Sequence, residues 1–181
     1  MMIATAMEGL RSTAKDRQDE AYRTLMLATD QPVAWAYDIW PEIVTLLGDN
    51  DNRRRAIAAQ ILANLAKSDP EQRMTDAFPA LLQVTRDDRF VTARHCLQSL
   101  WNVAVVSPEN QRMVVDGLAL RFAECAAEKN CTLIRYDIAV ALRQIYDVSK
   151  DTGVHETAKA LIATETATKY RKKYEGAWKI K

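Results

Sequence analysis

Glycine and proline are scarce in this chain, 5 of each among 181 residues. A β-sandwich or barrel turns every ~8–12 residues and draws on both, so those folds are excluded. Neither sign of charge dominates, with 25 Lys+Arg against 24 Asp+Glu, which argues against a wholly polyanion-binding or acidic chain. No run approaches the ~18 uninterrupted apolar residues of a membrane-spanning helix. What is present is a hydrophobic share of 48%, enough to exclude wholesale disorder. The length suits one domain that buries ~70% of its unfolded surface.

Chemistry-bearing residues are few. The 3 Cys are Cys96, Cys125 and Cys131, an odd number that reads as reduced thiols. Cys125 and Cys131 lack the C-x₂₋₄-C spacing of a zinc site, and His95 and Cys96 are adjacent rather than one turn apart. The thiols are therefore expected to be buried or inert, and no metal or cofactor is assigned. Met1–Glu8 has no charged segment followed by an apolar core, so it does not read as a secretory signal. The expected location is the cytoplasm. A Gly-rich phosphate loop, H-E-x-x-H and G-x-S-x-G are all absent, and no catalytic residue is assigned.

The sequence repeats itself. A shift of 38 lays Asp38-Ile39-Trp40-Pro41 on Asp76-Ala77-Phe78-Pro79, then Gln60 on Gln98, Leu62 on Leu100 and Asn64 on Asn102. A further shift of 42 lays Cys96 on Ile138, Leu100 on Leu142 and Val103 on Ile145. Three stripes emerge at i, i+4, i+7: Ala58-Leu62-Leu65, Cys96-Leu100-Val103 and Ile138-Leu142-Ile145. That spacing is one face of a 3.6-residue helix. Each copy also has a preceding apolar helix, started near Pro32, Pro70 or Pro108, and Pro41 bends the first of them. Asp49–Asp51 and Asp87-Asp88 supply turn and capping side chains between the two helices.

These copies define repeats 32–67, 70–106 and 108–149. Residues 13–30 read as a half repeat and 153–167 as a partial one, within a single domain 13–167. Residues 1–12 are expected to be flexible. Residues 168–181 form a basic, aromatic cap or tail.

Asp49-Asn50-Asp51-Asn52-Arg53-Arg54-Arg55-Ala56-Ile57-Ala58 and the following Leu62 and Leu65 resemble the HEAT repeat family. Its pattern is D-x-D-x-x-V-R-x-x-A-x-x-x-L-x-x-L. Ile134-Arg135 supplies the Val-Arg element again, whereas Ala93 stands in the Arg place of the middle copy. A tetratricopeptide reading fails on period, and no short third helix of an armadillo unit is evident. The resemblance implies an all-α superhelix: about three full helix pairs with half-repeat caps, whose second helices line a concave face. HEAT-like modules serve mostly as protein-binding scaffolds. One similar group excises alkylated DNA bases, and another attaches bilin chromophores.

With the apolar stripes facing inward, Asn64 points outward, as do Arg94, Gln98, Trp101 and Asn102, then Tyr136, Arg143 and Gln144. Asn64, Asn102 and Gln144 would form an amide ladder. Trp101 and Tyr136 either bind a partner or fill gaps between repeats. Trp35, Tyr37 and Trp40 are expected to pack in the core. Asp137 aligns with His95 one copy on, where it could orient that imidazole. In the tail, Lys169, Arg171, Lys172, Lys173, Lys179 and Lys181 face Glu165 and Glu175, a net of +4. The rest of the chain holds 19 Lys+Arg against 22 Asp+Glu, a net of −3. Lys169, Arg171, Lys172 and Lys173 are candidate contacts to an anionic partner.

The expected function is a non-enzymatic scaffold for a protein or peptide, of unassigned oligomeric state. The alternative is nucleic-acid binding or base excision. It would use Trp101 and Tyr136 to stack a base, Arg94 and Arg143 for phosphates, and Asp137 beside the sugar. The acidic balance of the body is a poor match to duplex DNA.

Overall fold

The computed structural model describes residues 2–178; Met1 and residues 179–181, which include Lys179 and Lys181 of the tail, lie outside the described residues. Every regular element among the described residues is helical. In order they are α1 (Met2–Arg11), α2 (Lys15–Ala28), α3 (Ala36–Leu46), α4 (Asn52–Leu65), α5 (Met74–Val84) and α6 (Phe90–Ser99). There follow α7 (Trp101–Ala104), α8 (Pro108–Glu124), α9 (Cys131–Ser149), α10 (Thr152–Ala163) and α11 (Thr168–Ala177). Leu100 keeps αR geometry between α6 and α7, so the two continue one another. They pair as α1/α2, α3/α4, α5/α6–α7, α8/α9 and α10/α11. The second member of each pair lies beside the next, in the row α2, α4, α6–α7, α9, α11.

The core follows the sequence stripes. Ala58, Leu62, Leu65, Cys96, Leu100, Val103, Ile138, Leu142 and Ile145 are all buried. Each large member contributes about 1.5–3 kcal/mol by leaving water. Trp40 is buried and meets Tyr37 edge-on at 5.9 Å.

Helix starts depart from the proline positions in two copies. Val33 has its amide taken by Ser68 Oγ at 2.9 Å, and α3 begins only at Ala36. In the next copy Asp69 accepts from the amides of Arg73 and Met74, at 2.9 and 2.7 Å, so α5 begins at Met74 rather than Pro70. Side-chain hydrogen bonds to Ser68 and Asp69 hold the backbone at or before these starts. Pro108 does stand in the first turn of α8, behind Ser107, whose Oγ accepts from the amide of Asn110 at 3.1 Å.

Both ends pack as helices. Residues 2–11 are helical, not flexible, because Ala6, Met7 and Leu10 bury one face of α1 on α2. The approach is close: a Cβ on Gly9 would stand 2.9 Å from Ala21 Cβ. At the other end α11 docks as the second helix of a pair. Tyr174 is fully buried, meets the Phe122 ring edge-on at 6.2 Å and donates to the Thr132 carbonyl at 3.1 Å. Trp178 Nε1 donates to the Ala139 carbonyl at 3.1 Å.

Candidate functional site: the wall of second helices

Three second helices converge on one carboxylate. Asp137 of α9 is 2% exposed. Arg94 of α6 places Nε 3.0 Å from its Oδ2. One turn along α6, Gln98 donates from Nε2 to Oδ1 at 3.3 Å. Lys173 of α11 acts electrostatically on the same group, and its Nζ stands 4.6 Å from the centroid of the Tyr136 ring. Burial pushes the Asp137 carboxyl above its ordinary range, while Gln98, Arg94 and Lys173 oppose the rise. The contact with His95 that the repeat alignment permits is not made; Asp137 makes these contacts instead. His95 is exposed and lines a separate cleft of about 270 Å³ with Asp19, Tyr22, Arg53 and Gln60.

The other sequence candidates divide by burial. Trp101, Asn102, Tyr136, Arg143 and Gln144 are half-buried, and Gln98 is exposed. Trp101 and Tyr136 each lay part of the ring on the core and leave part at the surface. Arg143 pairs with Asp147 one turn on, at 2.8 Å, and its guanidinium is 5.9 Å from the Trp178 ring centroid.

Asn64 is not at the surface. It is 7% exposed, beneath α2, and donates to Thr29 Oγ1 at 3.3 Å. Asn102 donates back to the Ser99 carbonyl within its own helix at 3.3 Å. In place of the expected amide ladder, Asn64 and Asn102 make separate hydrogen bonds.

On α11, Lys169, Lys172 and Lys173 are exposed and Arg171 is half-buried. None of the four makes an ion pair among the described residues. Elsewhere on the wall Arg53 pairs with Asp19, Arg94 with Asp137 and Arg143 with Asp147. Exposed lysines without an ion-pair partner among the described residues lie on α11. A groove of about 470 Å³ between α10 and α11 is lined by His155, Lys159, Arg171 and Trp178.

Sequence reasoning did not place Lys173 against Tyr136, since the contact joins α9 to a segment with no repeat signature. It also missed the role of Arg121. Arg55 holds Asp87 of the next repeat at 2.5 and 2.9 Å, and Arg135 holds Glu165 at 2.9 Å. Between them, where Ala93 lacks a guanidinium, Arg121 of α8 enters the same cleft. It is 1% exposed, grips Glu128 with both Nη atoms at 2.6 and 2.8 Å, and donates from Nε to the Thr85 carbonyl at 3.1 Å. The vacancy at Ala93 was the available signal.

No family model matches the chain, and no curated protein matches it by sequence. Solved structures do. An engineered protein from a structural-genomics consortium superposes with a TM-score of 0.52 at 20% identity, covering 97% of this chain and 94% of the other. A designed armadillo repeat protein gives 0.51 at 14% identity over 98% of each chain. The fold is a HEAT/armadillo-like α-solenoid. A further designed armadillo repeat protein, in complex with the peptide (KR)4, gives 0.50 at 16% identity over 98% of this chain and 87% of its own. The solenoid here is built of helix pairs. Among its described residues, no helix is long and apolar enough to cross a membrane.

Proposed function

We propose that this solenoid is a non-enzymatic, cytoplasmic scaffold that binds an extended segment of a protein partner along its second helices, on a concave face. The observation that carries the reading is the meeting of Gln98, Tyr136 and Lys173 across α6, α9 and α11, above a carboxylate already neutralised by Arg94. Trp101 continues the strip one turn beyond Gln98. Aromatic faces with amide and cationic neighbours are the surface types that dominate peptide recognition. Gln98, Asn102 and Gln144 can pair with an extended backbone, and the unpaired lysines of α11 favour acidic side chains. A similar fold bound to (KR)4 supports peptide binding by such a wall. Base excision would need Asp137 presented beside a sugar, and Arg94 and Gln98 cover it instead.

The test is fluorescence polarisation with labelled acidic-aromatic peptides, the peptide (KR)4 and an alkylated DNA duplex. Acidic peptides should bind best, and W101A, Y136A and K173E should each weaken binding by about tenfold or more. Preferred, steeply salt-dependent DNA binding, or peptide binding insensitive to all three variants, would overturn the reading.

A further inference from the structure

Two cysteines that the sequence sets six residues apart meet at the elbow between α8 and α9. Cys125 opens a short 3-10 turn after α8 and is fully buried. Cys131 is the first residue of α9 and is half-buried, the more exposed residue of the two. The Sγ atoms stand 2.9 Å apart, inside van der Waals contact. Closing by less than ~1 Å would bring them to the length of a disulfide. The intervening segment 126–130 contains Glu128, the partner of Arg121. Arg121 and Arg135 flank the pair, and both act electrostatically on Cys125. Cys96 provides the contrast within the same chain. It is fully buried, its thiol donates to the Leu81 carbonyl at 3.2 Å, and burial holds it protonated.

We propose that Cys125 and Cys131 form an oxidisable dithiol, a modification site at which a hydroperoxide closes an intrachain disulfide across the α8–α9 elbow. The sulfur of the more exposed residue reacts first. Cys131, as thiolate, attacks the distal oxygen of the peroxide, the O–O bond breaks, and the leaving oxygen departs as water or an alcohol after taking the thiol proton. Cys131 is then a sulfenic acid. Cys125 gives up its proton as its sulfur attacks that of Cys131; the S–O bond breaks and the proton leaves with the hydroxide as water. In sum, two thiols lose two protons and two electrons, and one hydroperoxide is reduced. The resolving thiol is already in contact, so the sulfenic acid is captured before further oxidation.

The elbow leads into the first turn of α9, about two turns ahead of the Asp137 cluster, and Tyr174 of α11 docks on that turn, donating to the Thr132 carbonyl at 3.1 Å. Disulfide closure therefore fixes the elbow between the two helices of the repeat that carries Asp137.

The experiment uses the full chain and hydrogen peroxide as the probe. Titratable thiols counted in denaturant should fall from three to one. Peptide mapping should show Cys125 linked to Cys131 with a mass loss of ~2 Da, and dithiothreitol should restore both thiols. In C131S the count should stay at two under the same dose. In C125S the remaining Cys131 should pass on to sulfinic acid, which dithiothreitol does not reverse. The wild-type count needs no variant to fold. Retention of three thiols, a linkage that includes Cys96, or covalent dimers in place of the intrachain bond would each overturn the proposal.

Discussion

Arg94 and Asp137 form the pair in which each partner's exposure differs most usefully: the guanidinium side chain is 41% exposed and the carboxylate 3%. Removing the cation leaves a buried charge without compensation, whereas removing the anion lets the arginine return to water. R94A should therefore cost about 1–3 kcal/mol in urea unfolding, and D137N clearly less. The pH dependence separates them further. The folded carboxyl is raised above its unfolded value, so its contribution to stability grows as pH falls from the folded value towards 3.8. D137N should abolish that slope and R94A should steepen it. Arg121 is a different case, because its planar fork makes three hydrogen bonds in one buried site. R121A should lose about 2–3 kcal/mol, and R121K should recover little, since an ammonium cannot span both Glu128 oxygens and the Thr85 carbonyl.

Helix ends decide the elements as much as helix faces do. The apolar stripes located α4, α6 and α9 correctly, because a 3.6-residue period depends only on the helix itself. The starts of α3 and α5 were misplaced, since Ser68 and Asp69 cap or engage amides that proline placement alone does not reveal. The same limit hid α1 and the docking contacts of α11. Each gains its buried face from a neighbour outside the repeated pattern: Gly9 against Ala21, Tyr174 against Phe122. Close approach also fixes α8 on α5, where a Cβ at Gly117 would stand 3.1 Å from the Phe78 ring. Docking of α11 is testable through Tyr174. Y174A should cost about 3–5 kcal/mol from the cavity it leaves, and Y174F about 0.5–1.5 kcal/mol from the unpaired Thr132 carbonyl. Thermal unfolding of the three proteins checks the order.

Across the whole molecule, the junctions between repeats are tied by carboxylates whose folded pKa lies below the ordinary value. Asp87 is opposed by burial but lowered by Arg55 and the Arg89 amide; Glu165 is likewise opposed by burial and lowered by the Ala167 amide and Arg135. A depressed carboxylate adds stability that is present above its unfolded pKa and lost as pH falls through the folded one. The solenoid should hold its stability down to the unfolded values of 3.8 and 4.5 and lose it progressively below them. D87N should flatten part of that acid loss, measured as urea midpoints across the acid range. A row of layers, each touching only its neighbours, should also transmit a weak junction less than a globular core does. The composition and the 38-residue repeat by themselves determined that the chain is helical, paired and stacked, because helix period and loop chemistry are local properties. The tertiary structure alone decided which wall residues remain available: α2 buries Asn64, Arg94 and Gln98 cover Asp137, and α11 brings Lys173 onto Tyr136. The same stacking brings Cys125 against Cys131 at an elbow that no spacing rule describes. Local periodicity fixes the direction of a side chain on its own helix, but its exposure and partners depend on the offset and crossing of neighbouring helices, which only packing sets.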